Sequence, residues 1–100
     1  MAKKYILEGY TPKPINDVFE WGRWFETADR IVAKTKIGKV EVSTVFLGLD
    51  YSFGEGPPIL FETMVFGLMD EEPQWRYSTW EEAEAGHLEA VKLVKERRRK

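Results

Sequence analysis

The chain holds one histidine, His87, and no cysteine. Thiolate metal sites, disulfides and a cysteine nucleophile are therefore excluded. His87 falls in a helix-like segment, on the apolar stripe with Trp80, Ala83, Ala90, Val91 and Val94. Glu84 lies three residues before it, on the same side. Glu62 sits in an apolar strand-like run, IleLeuPheGluThrMetValPhe at 59–66. A carboxylate beside an imidazole can move protons, so His87 with Glu62 or Glu84 is a candidate acid–base pair for a phosphoester hydrolase. The plainer reading is a core histidine that hydrogen-bonds helix to sheet. Glu62 must also find a partner, with Arg30, Arg76 and Lys34 in view.

A second group surrounds a Gly/Pro loop. Asp50, Tyr51, Ser52 and Phe53 lead into Gly54-Glu55-Gly56-Pro57-Pro58. Glycines let a backbone approach a ligand closely, and loops carry function more often than cores. The loop has neither the GxxxxGK[ST] nor the GxGxxG spacing, so it is no phosphate loop by pattern. Serine-nucleophile motifs are missing as well. With one histidine and only carboxylates near it, no metal or cofactor is expected. Among the aromatics, Trp24 and Trp75 are the expected exposed pair, and Tyr77 adds a further aromatic surface.

The elements that must position these residues are legible in outline. Tyr5–Glu8 reads as a short strand, and Pro12 and Pro14 as an extended connection. Residues 15–28 read as a helix, with Ile15, Val18, Phe19, Trp21, Gly22, Phe25 and Ala28 on one side. Strands are expected at 30–37, 39–50 and 59–67, with an edge strand at Arg76–Tyr77. Gly38 supplies the turn between the first two. Thr79 with Glu82 forms a capping box, and a helix is predicted from Trp80 to about Arg98. The expected fold is a single α+β domain over residues 1–100, two-layered, in the order β-α-β-β-β-α. A three- to four-stranded antiparallel meander packs with two helices.

The two central strands carry apolar residues on both faces. Two helices cover one face of a small sheet, so a second copy of the chain is expected on the other, as a homodimer or higher oligomer. The net charge is −2. Setting aside the basic end, Arg97–Lys100, leaves 11 basic residues against 17 acidic ones. An acidic body argues against broad nucleic-acid binding, although that tail could touch it in a structural or regulatory role. No run suits a leader or a membrane span, and a cytoplasmic protein is expected.

The stretches ValSerThrValPheLeuGlyLeuAspTyrSerPheGlyGluGlyProProIleLeuPheGluThrMetValPheGly (42–67) and ArgTyrSerThrTrpGluGluAlaGluAlaGlyHis (76–87) resemble a group of short uncharacterised bacteriophage and prophage proteins. The resemblance spans residues 20–92. It implies a host-cell cytoplasmic setting and a protein that acts by binding. The implied target is a host protein, or a nucleotide-like small molecule of a bacterial defence system. Trp24, Asp50, Tyr51, Glu62, Tyr77 and His87 are the parts available for such a site.

Overall fold

The computed structural model describes residues 3–68 and 72–98. The elements are β1 (Lys4–Glu8), β2 (Thr11–Ile15), α1 (Val18–Thr27), β3 (Ile31–Ile37), β4 (Val40–Phe46), β5 (Phe61–Phe66), β6 (Gln74–Tyr77) and α2 (Trp80–Arg98). The fold is α+β. Strands β3-β4-β5-β6 form an antiparallel meander, and β1-β2 a separate hairpin.

The expected connection at Pro12 and Pro14 is in fact β2, paired with β1 from Lys4↔Ile15 to Glu8↔Thr11. Prolines two apart on a strand point the same way. Both here lie on the edge turned away from β1, where no ladder hydrogen bond is lost. The first helix begins at Val18 rather than Ile15, because the Asp17 carboxylate caps it. Asp17 Oδ1 accepts the amides of Phe19 (2.9 Å) and Glu20 (3.2 Å). Ile15 therefore closes the hairpin, and Val18 and Phe19 are exposed.

The capping box of α2 is present. Thr79 Oγ1 accepts the Glu82 amide, and Glu82 Oε1 accepts those of Ser78 and Thr79, all at 3.1 Å. Helix α2 lies across the inner face of the meander, where Val40, Val42, Thr44 and Phe46 of β4 and Phe61, Thr63 and Val65 of β5 are buried. The core has two parts. Val40, Val42, Val65, Ala90 and Val94 form an aliphatic cluster. Phe46, Leu60, Phe61 and Ala83 form the other, enclosed by Tyr5, Leu7, Trp24, Val32, Tyr77 and Trp80.

Helix α1 packs on β1 and extends this second cluster, with Trp24 edge-on to Phe46 at 5.8 Å. Trp24 is thus half-buried and not one of the exposed aromatics. Trp75 remains partly open at 37% exposure. The hairpin is stitched on by backbone bonds from Tyr5 N–H to Gly48 O (2.9 Å) and from Asp50 N–H to Lys3 O (3.0 Å).

The outer face of the meander is mixed. Ile31, Val45, Glu62 and Arg76 form one cross-strand row; Lys34, Ser43, Met64 and Gln74 the next; Lys36, Glu41 and Phe66 a third. Apolar and charged side chains alternate there, more polar than the doubly apolar sheet expected from the sequence. Both helices pack elsewhere among the described residues. No described helix is long and apolar enough to cross a membrane. Of the acidic run at 70–72, Asp70 and Glu71 lie outside the described residues, as do Arg99 and Lys100 of the basic end.

Candidate functional site

His87 comes off the middle of α2 into the sheet and is 3% exposed. Its Nε2 is hydrogen-bonded to Thr35 Oγ1 at 2.8 Å, and its Nδ1 to Thr44 Oγ1 at 2.7 Å. Thr44 Oγ1 is in turn 2.5 Å from Thr63 Oγ1. One helix and three strands are thus joined by one polar chain. A neutral imidazole suits it, donating from one nitrogen and accepting at the other. Burial pushes the His87 pKa below the ordinary histidine value. Both ring nitrogens are occupied inside the core, which leaves neither for a substrate.

The candidate carboxylates are elsewhere. Glu62 is on the outer face, where its Oε2 accepts Arg76 Nε at 2.9 Å. The Arg76 guanidinium lies 5.1 Å from the centre of the Tyr51 ring. Arg30 is not the partner of Glu62: it stacks on Phe25 at 3.9 Å and donates to Phe46 O at 3.3 Å. Glu84 is exposed on α2. The structure therefore separates His87 from Glu62 by the thickness of the sheet, and no acid–base pair forms.

Asp50 organises the Gly/Pro loop. One carboxylate oxygen accepts the amides of Ser52 (2.8 Å) and Ile59 (2.9 Å), closing both ends of the loop on a single side chain. Burial works to raise the Asp50 pKa. The Ser52 backbone and hydroxyl, the Ile59 amide and the charge of Lys3 outweigh it, and the carboxyl titrates below its ordinary value. Asp50 and Ser52 line a polar hollow of about 420 Å³ with Lys3, Tyr5, Gly54 and Gly56. Tyr51, between them, points the other way over Arg76. Phe53, at the loop tip, is 99% exposed.

Tyr77 lies on the inner face at the sheet edge. It lines a groove of about 280 Å³ with Trp75, Gly86, Glu89, Ala90 and Leu93. No family model matches the chain, and no curated protein or solved structure does either.

The six sequence-predicted site residues thus fall into separate places. Asp50 borders the hollow. Tyr51 and Glu62 meet Arg76 on the outer face. Tyr77 lines the edge groove, and Trp24 and His87 belong to the packed interior. Among the described residues, no three His, Asp or Glu side chains gather in a way that could hold a metal ion. Sequence reasoning missed Lys3, Tyr5 and Thr35. Asp-x-Ser at 50–52 does mark an Asx-type turn. Nothing local in the sequence ties Lys3 to it, because that link is a long-range backbone pairing.

Proposed function

We propose that this chain is a small phage-type binding protein that interferes with host defence by sequestering a nucleotide-like small molecule. The observation that carries the reading is the hollow beside the 50–58 loop. It brings the fixed Asp50 carboxylate together with Lys3, Tyr5 and the exposed Gly54 and Gly56 in one concavity of ligand size. The placement of His87 favours binding over catalysis, since its ring is consumed by threonine hydroxyls in the core.

The experiment is to purify the protein from bacteria with an active nucleotide-signalling defence, denature it and analyse the released small molecules by mass spectrometry. A nucleotide-like compound released in near-stoichiometric amount is expected. Recovery of none overturns the reading.

A second reading, occupation of a host protein, is favoured by Phe53. A phenyl ring 99% exposed on a loop tied down by Asp50 and stiffened by Pro57 and Pro58 is a preorganised anchor. Self-association belongs to the same proposal. The outer face presents Ile31 and Phe66 partly exposed, with no described helix over them. Native mass spectrometry at micromolar concentration tests it, and a monomer there removes the homo-oligomer.

A further inference from the structure

We propose that the hollow at Asp50 recognises the ribose phosphate portion of a nucleotide, with the Asp50 carboxylate taking the sugar hydroxyls and the Lys3 ammonium taking the phosphate. This rests on the sequestration reading, and adds where the molecule sits and which groups select it.

The two charged residues are held together before any ligand arrives. The Asp50 amide donates to the Lys3 carbonyl at 3.0 Å, and Lys4 bridges to Leu49. Both residues border one cavity of about 420 Å³, within the size range of small-molecule sites, and the Lys3 charge is near enough to act on the Asp50 carboxylate. Asp50 is held in its ionised, acceptor-only form by the amides of Ser52 and Ile59. Both amides use the same oxygen and the Ser52 hydroxyl takes one further position, so the carboxylate still keeps acceptor capacity for a ligand. The ligand group that meets it must therefore be a hydrogen-bond donor.

Two kinds of donor qualify, amines and hydroxyls. A polyamine would meet repulsion from Lys3, and an inorganic anion would meet it from Asp50. A molecule that carries hydroxyls at one end and a phosphate at the other satisfies both groups at once. Gly54 and Gly56 favour the same assignment. Both have positive φ, and a Cβ at either would point into open space. Their backbone is thus uncovered on the wall of the hollow, where polar ligand atoms can reach it. Tyr5 and Ser52 complete the lining.

The test is isothermal titration calorimetry on the full chain with AMP, ribose 5-phosphate, 2′,3′-dideoxy-AMP and inorganic phosphate. Asp50→Asn keeps an acceptor for the Ser52 and Ile59 amides, and Lys3→Gln leaves the Lys3 carbonyl in place. Circular dichroism checks that both variants fold. AMP and ribose 5-phosphate should bind. Loss of the two ribose hydroxyls should weaken AMP binding tenfold or more, and so should each substitution. Binding of AMP that is unchanged in both variants overturns the assignment. So does failure of all four probes to bind the wild type. If a small molecule nevertheless co-purifies with the protein, sequestration stands and only the assignment to this hollow falls. If none does, both fall.

Discussion

Thr44 and Thr63 face each other across β4 and β5 with their hydroxyl oxygens 2.5 Å apart, and His87 closes on Thr44 from the helix at 2.7 Å. Three buried polar side chains from three elements satisfy one another in an apolar interior. Truncating Thr44 leaves His87 Nδ1 and the Thr63 hydroxyl without this partner. Thr44→Val should therefore cost about 1–3 kcal/mol, and Thr63→Val, at the end of the chain of bonds, about 1 kcal/mol. In urea unfolding the double variant should be non-additive by at least ~0.5 kcal/mol. Additive losses would show that the hydroxyls act independently.

Acid should weaken the fold through His87. Its folded pKa lies below the ordinary value near 6.5, because burial disfavours the imidazolium. The unfolded chain therefore takes up the proton first. Stability is fully retained above about pH 6.5 and falls as the pH drops below it, until the folded ring also titrates. Urea midpoints at pH 7.5 and 5.5 measure this. The wild type should lose stability between them, and His87→Asn, although weaker overall, should lose less. Parallel slopes for the two proteins would remove His87 from the acid response.

An alanine at position 86 would normally help a helix, by about 0.5–1 kcal/mol over glycine. Here a Cβ on Gly86 would collide with the ring and hydroxyl of Tyr77. Gly86→Ala should instead destabilise by about 1–3 kcal/mol. In a Tyr77→Ala background the same substitution should become stabilising. Thermal melts of the four proteins decide it, and the prediction fails if the sign does not change.

The loop at 50–58 depends on one side chain. Asp50→Ala removes the acceptor for the amides of Ser52 and Ile59, and Asp50→Asn keeps it. Hydrogen exchange at both amides should speed up at least tenfold in the alanine variant and much less in the asparagine one. Slow exchange in both would mean that the prolines alone hold the loop.

How much of this was legible depends on the range of the interaction. The second helix was, because its capping box lies within four residues and the structure preserves every bond of it. The meander was, because turns and apolar runs are local too. The hairpin partner Thr11–Ile15 was not: its prolines read as an extended connection, and only their common orientation on an outer edge permits a paired strand. The start of α1 was misplaced because Ile15 suits the apolar wheel, whereas Asp17 sets the true boundary. His87 was legible as a core residue that needs a partner, but its two partners come from two strands, 43 and 52 residues away. Trp24 lies at the margin of the helical stripe yet is drawn inward, since Phe46 offers its ring.

The threonine–histidine trio has a further consequence for assembly of the sheet. Sliding β5 along β4 by two positions would keep the same side chains pointing inward, so hydrocarbon alone discriminates poorly against it. Such a misthreaded pair would bring Thr63 opposite a valine or a phenylalanine and strand Thr44 without its mate. The trio thus penalises the slipped register by leaving buried hydroxyls unpaired, and so favours the native alignment of the two strands.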